Sequence, residues 1–194
     1  MIERVRKILL AEAQAITSIP LSAEVERAIA VLLACRGKVF TTGIGKAGYV
    51  AKKAASTFST TGTPAAFIHP GDAPHGDVGV VSRGDILIGY SNSGKTREII
   101  ETVHLCRKLG AAHVISVVST KDSPLGKESD IVLEIGPIVE PCPLGFTPTA
   151  STSAMLALSD ALALVVMEER GFSKEDFAVR HHGGYLGKKS RDEE

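Results

Sequence analysis

Apolar residues recur at helical spacing from the start of the chain, at Ile2, Val5, Ile8, Leu9 and Ile16, and Pro20 closes that helix. Ser22 can cap a second helix, with Glu24 and Glu26 in its first turn; Arg36-Gly37 predicts its end, a basic residue followed by a left-handed glycine cap. From there the period changes. Short apolar runs predict strands at 38–42, 65–68, 85–90, 113–118 and 131–135. Helical spacing predicts helices at 49–60, at 97–109 with Gly110 as cap, and at about 151–170 with Gly171 ending it. Runs such as Ile86-Leu87-Ile88 do not alternate with polar residues, as a strand buried on both faces requires. Strands alternating with helices predict an α/β fold: a three-layer α-β-α sandwich with a five-stranded parallel sheet, doubly wound. Its connections should be right-handed, and ligands should bind at the carboxyl ends of the strands, where the strand order reverses.

The 194 residues are read as one domain: a helical segment 1–36, a sheet core 38–170 and a tail 171–194. The 22 basic and 22 acidic residues cancel, which removes the electrostatic case for nucleic acid or an anionic membrane. Cys35, Cys106 and Cys142 are odd in number and lack metal spacing, as expected of free thiols in a cytoplasmic protein. Glu12 cuts the first apolar run too short for a signal peptide. The longest apolar stretch, 154–167, is shorter than a membrane span and contains Ser159 and Asp160. Its apolar residues cover most of a helix circumference, so one side is expected on the sheet and the other against a second subunit.

Two loops carry candidate chemistry. At 91–96 a buried strand breaks into Ser91, Asn92, Ser93, Gly94, Lys95 and Thr96 and then enters a helix. Backbone N–H groups at such a junction attract a phosphate, and the hydroxyls of Ser91, Ser93 and Thr96 can add donors. The stretch 89–96 also fits GxxxxGK[ST], but no later strand ends in an aspartate placed for Mg²⁺. Residues 43–48 fit GxGxxG, with Gly45 inside and Lys46 as a fixed cation, but the next strand ends at His69-Pro70 without the acidic residue a dinucleotide needs. Both nucleotide readings are set aside.

The loop 69–79 holds His69, Asp72, His75 and Asp77. This spacing admits a metal but specifies no tetrahedral set, and a rigid loop presenting one catalytic histidine is the competing reading. The proline-rich stretch 139–149 is a long loop of fixed shape, as functional loops are. Glu140 lies there among apolar neighbours, so burial is expected to raise its pKa towards that of a base. Glu98, near a helix N-terminus, is expected to be held ionised. His181-His182-Gly183-Gly184 interrupts an otherwise ordinary tail.

TGIGKAG (42–48), TGTPAAFIHPGDAPHGDVG (61–79), SNSG (91–94), EPCPLGFTPTAST (140–152) and HHGGYLGK (181–188) occur in this order. Together they resemble the sugar isomerase (SIS) fold and, within it, the D-arabinose 5-phosphate isomerases. The resemblance implies interconversion of D-ribulose 5-phosphate and D-arabinose 5-phosphate, a homotetramer, and no organic cofactor. It implies a role in making Kdo for lipopolysaccharide, or capsule sugars. Many members carry a C-terminal pair of CBS domains, and a short form without them is expected here. Lys95 stands where the family often has glutamate, and His182 where it usually has proline.

Carried over by motif, Lys46, His75, Glu98, Glu140 and His181 form the expected active-site set. Glu140 is assigned as base, His181 as proton shuttle or ring opener, and Lys46 as stabiliser of the enediolate. His75 and Glu98 orient hydroxyls, while Gly45, Ser91, Ser93 and Thr96 bind the phosphate. The alternatives are an isomerase of another phosphosugar, such as 3-hexulose 6-phosphate, and a non-catalytic sugar-phosphate sensor. His75 or His181 is expected to enter the site from a neighbouring subunit.

Overall fold

The computed structural model describes residues 1–191. Five parallel strands, β1 (Val39–Gly43), β2 (Ala65–Phe67), β3 (Ile86–Tyr90), β4 (His113–Val118) and β5 (Ile131–Glu134), form one sheet in the order β2-β1-β3-β4-β5. The predicted α/β sandwich is the observed fold. Between β1 and β3 the chain reverses its direction of travel across the sheet, which makes that crevice the switch point. β3 pairs with β1 from Val39↔Ile86 to Gly43↔Tyr90, so both strands end level at that crevice.

The two faces of the sheet are separated by strand alternation. Ile86, Ile88 and Tyr90 point into one core, while Leu87 points into the other. The first core is closed by α2 (Ala23–Ala34), α3 (Gly45–Thr60) and α6 (Ala150–Glu169). The second is closed by α4 (Arg97–Lys108), by the short helix α5 (Pro124–Lys127), and by two 3-10 turns at Ala73–His75 and Asp77–Val80.

The second helix ends two residues earlier than its sequence predicts, and Gly37 is not left-handed. The chain leaves in extended form at Cys35, and Gly37 is needed for closeness instead. A Cβ there would lie 3.3 Å from the Asp85 backbone nitrogen and overlap the Asp85 carboxylate. That buried carboxylate accepts from the N–H of Lys38 at 2.7 Å and of Ser82 at 2.8 Å, tying the start of β1 to the turn before β3.

The apolar face of α6 has a different partner from the one its composition predicts. The first helix, α1 (Ile2–Thr17), lies along α6, where the Ser153 hydroxyl donates to Glu12 at 3.1 Å. Much of the face expected to meet a second subunit is therefore covered within the chain. Solvent meets the outer side of α1 instead, at Ile2, Val5 and Leu9, together with Leu164 and Val165 of α6. Among the described residues α6 alone is long and apolar enough to cross a membrane, but half of it is buried as a core helix. Beyond α6 the tail forms α7 (Lys174–Arg180), with a capping box from Ser173 and Asp176, and α8 (Gly184–Ser190).

Candidate active site

A cleft of about 320 Å³ opens at the switch point, walled by the β1–α3 junction, the β3–α4 loop and the first turns of α6. Ile44, Lys46, Tyr90, Ser91, Asn92, Ser93, Thr96, Ser151, Thr152 and Met155 line it. A second cleft of about 310 Å³ shares Lys46 and Thr152 and runs on between α3 and α6 to Tyr49 and Lys53.

On the first wall the glycine-rich stretch is not the loop its composition predicts. Helix α3 starts at Gly45, four residues early, so Lys46 is its second residue. The chain turns at Gly45 with φ 60°, and Gly48 abuts the end of β1, where a Cβ would lie 2.7 Å from the Gly43 carbonyl oxygen. The glycines thus let the helix butt against the strand and carry Lys46 to the crevice mouth.

On the second wall, Gly94 turns at φ 60° against Ser123, with no space for a side chain. The nearly buried Ser91 hydroxyl accepts from Gly94 N–H at 3.1 Å and bonds the Thr96 hydroxyl at 2.9 Å, so it shapes the loop from within. Ser93 is exposed at the cleft; its oxygen accepts from Lys95 N–H at 3.2 Å and its proton stays available. Helix α4 has no side-chain cap at Thr96, which leaves its first-turn N–H groups to a ligand.

The third wall corrects an expectation. The Glu140 carboxylate accepts from the N–H of Thr149 at 2.8 Å, Ala150 at 2.9 Å and Ser151 at 3.2 Å, and from the Ser151 hydroxyl. Burial pushes its pKa up, but the Ser151 hydroxyl and the three N–H groups outweigh burial and hold it below the ordinary carboxylate value. The predicted rise does not occur. Glu140 caps α6 in place of Thr149, whose own hydroxyl is buried without a partner.

Residues 32–165 match the SIS domain family. The chain belongs to the SIS domain family. It is 44% identical over 163 residues to the arabinose 5-phosphate isomerase KdsD of Pseudomonas aeruginosa, a match covering 84% of this chain and 50% of that protein. The chain spans about half the length of the curated relatives it matches. A Bacteroides fragilis protein, proposed to be a phosphosugar isomerase involved in capsule formation, superposes with a TM-score of 0.92 at 42% identity, covering 95% of this chain and 99% of that one. An E. coli CFT073 protein solved in complex with arabinose 5-phosphate superposes at 0.88 with 37% identity, covering 93% and 96%.

The SIS domain brings Lys46, Ser91, Ser93 and Thr96 together in the cleft, and leaves the other expected residues outside its lining. Gly45 supports Lys46 from the turn before it. Glu98 is exposed in the first turn of α4, at the same end of the sheet. His75 is exposed on the 3-10 turn after β2, also at that end. His181 is elsewhere. Helix α6 runs some 30 Å from the cleft to the opposite end of the sheet. There Phe172 packs on Gly62 and under the Arg180 guanidinium at 5.1 Å, and His181 follows, stacked on Phe177 at 5.2 Å. The chain's own cleft is out of its reach.

Asn92, Ser151, Thr152 and Tyr90 were not expected as site residues. Ser151-Thr152 at the start of a predicted helix was a legible signal, because hydroxyls gather at helix N-termini. Tyr90 ends an apolar strand and carries no such mark.

Proposed function

We propose that this SIS domain is an aldose–ketose isomerase that interconverts D-arabinose 5-phosphate and D-ribulose 5-phosphate through a 1,2-enediolate. The observation that carries the reading is that one cleft holds both an ammonium, Lys46, and an uncapped helix N-terminus with the Ser93 and Thr96 hydroxyls. The helix terminus suits the 5-phosphate, whose binding energy fixes the sugar. Lys46 suits the oxyanion that develops at C1 and C2. The names of the relatives support this choice of phosphosugar.

The reaction moves one proton between C2 of the aldose and C1 of the ketose, so it needs a base. Among the residues lining the cleft only Lys46 and Tyr90 ionise. An ammonium has no lone pair to take a proton. Burial pushes the Tyr90 phenol far above its ordinary value, with the Ser159 hydrogen bond opposing weakly, so it stays neutral. Glu140 is spent on the cap. We therefore transfer the base role from Glu140 to His181 of a second copy, with Glu98 and His75 on the rim orienting sugar hydroxyls. Histidine is the side chain suited to take and return a proton near neutrality. This reading makes the enzyme an obligate oligomer, in our view a homotetramer. It works in the cytoplasm, where its three free thiols stay reduced, and its product feeds Kdo or capsule sugar synthesis.

The test is turnover of a panel of pentose and hexose phosphates, with loss of C2 deuterium from labelled arabinose 5-phosphate as the readout. Washout and ribulose 5-phosphate formation are expected. Binding without washout would make the protein a sensor, and preference for a hexose phosphate would move the substrate.

A further inference from the structure

Ser159 and Asp160 are the two polar residues inside the apolar run of α6, and nothing in the proposed chemistry uses them. Ser159 is buried, and its hydroxyl donates to the Met155 carbonyl at 2.7 Å. A serine hydroxyl has one proton, so the 2.9 Å bond to the buried Tyr90 hydroxyl must be donated by Tyr90. Tyr90 is the last residue of β3, directly before Ser91, and both Tyr90 and Met155 line the cleft. Asp160 pairs with Lys53 and accepts from Thr57 at 3.4 Å, both on α3, about two and three turns beyond Lys46. One turn of α6 therefore clasps the strand that carries the phosphate loop and the helix that carries the cation.

We propose that Tyr90 and Ser159 are positioning residues for phosphosugar binding: their hydroxyl chain sets the Ser91–Thr96 loop at its working distance from α6. The proposal rests on the assignment of that loop to the phosphate. Its logic is the asymmetry of buried hydrogen bonds. Removing both partners leaves an apolar contact of nearly the same shape, whereas removing one acceptor leaves a buried donor unsatisfied. Without Ser159 the Tyr90 hydroxyl loses its partner in the core, and the cleft that Tyr90 already borders is open to solvent. The shift that reaches it drags Ser91.

The experiment is steady-state turnover of arabinose 5-phosphate and competition by inorganic phosphate in Ser159→Ala, Tyr90→Phe and the double variant. Ser159→Ala should raise KM and the phosphate inhibition constant roughly tenfold, with kcat changed much less. Adding Tyr90→Phe should bring both constants back towards wild type, because the orphan donor is gone. A merely destabilised protein would lose Vmax with KM unmoved. KM and the inhibition constant unchanged in folded Ser159→Ala, or a double variant no better than Ser159→Ala, would overturn the clasp. Should Ser159→Ala fail to fold, Ser159→Cys decides: its thiol is a weak acceptor that leaves the Tyr90 donor poorly satisfied, so a KM rise of about two- to threefold supports the clasp, and none rejects it. A wild-type protein that binds phosphate by calorimetry without isomerising refutes the proposed function, and the variants are then read by phosphate affinity. One that binds no phosphate refutes both.

Discussion

The Ser151 backbone N–H reaches the Glu140 carboxylate at 3.2 Å, and the Ser151 hydroxyl bonds the same carboxylate oxygen. A residue expected to be a raised-pKa base is instead an ionised helix cap, and its partner is a wall of the cleft. Glu140→Gln keeps the shape but turns an acceptor into a donor facing N–H groups. It should cost about 1–2 kcal/mol, the usual worth of a cap. The sign of the pH dependence follows from the lowered folded pKa. The stabilisation is complete above the carboxyl's ordinary 4.5 and fades as pH falls through the lower folded value. Melting curves from neutral pH down into acid should show wild type losing this advantage over Glu140→Gln. A constant difference across that range would contradict the cap.

Ser91 and Ser93 should separate by role. Ser93→Ala removes a hydroxyl whose proton is free for a ligand, so it should weaken phosphosugar binding by roughly 1.5–3 kcal/mol with melting unchanged. Ser91→Ala breaks the bonds to Gly94 and Thr96 inside the loop, so it should lower both melting temperature and affinity. Inhibition constants for phosphosugars and thermal melts on both variants check this. Equal loss of stability in the two would show that Ser93 is structural as well.

The fold was legible because each strand is an apolar run and each helix keeps its period; His113–Val118 lies where its sequence places it. Boundaries slipped where glycine serves close approach instead of a turn. At 43–48 the composition of a loop belongs to the first turn of a helix, since Gly48 has to touch Gly43. The phosphate loop was legible from hydroxyls at a strand–helix junction. The Glu140 environment was not: apolar neighbours in sequence said burial, while the deciding partners lie nine to eleven residues on. Nor could the sequence show that α1 covers α6, because α6 is apolar nearly all round and does not mark which side meets another helix of the same chain.

Cys142 should be reactive yet dispensable. The Thr147 hydroxyl, followed by the N–H groups of Thr147, Leu144 and Phe146, pulls its thiol down to about 6. Alkylation by iodoacetamide should therefore climb through pH 6 and level off near neutrality. Cys106, pushed up to about 11 by burial, should stay inert in the folded protein. Cys142→Ser should retain turnover, since proton transfer between C1 and C2 needs no nucleophile. Inactivity of a folded Cys142→Ser protein would mean the chemistry is different.

The last prediction joins the cation to the distant histidine. Lys46 stands at the cleft, while His181 is held at the far end of the sheet by Phe172, Arg180 and Phe177 of its own tail. If a working site needs both, they come from different chains. Lys46→Ala should lower kcat by roughly 10²–10³-fold, as loss of an oxyanion partner does. His181→Ala should be inactive by loss of the base. Mixed under conditions that exchange subunits, the two dead proteins should recover roughly a quarter of wild-type activity, because random pairing about a two-fold axis rebuilds one intact site per mixed pair. The recovered activity should show wild-type KM, since the rebuilt site carries every native residue. Exchange proven by mass labelling without recovery would put both residues in one site of one chain, which would require the tail to leave the packing of Phe172 on Gly62. A fully active monomer by sedimentation would remove the shared site, and the base would then have to be Glu98 or His75 on the rim of the same cleft.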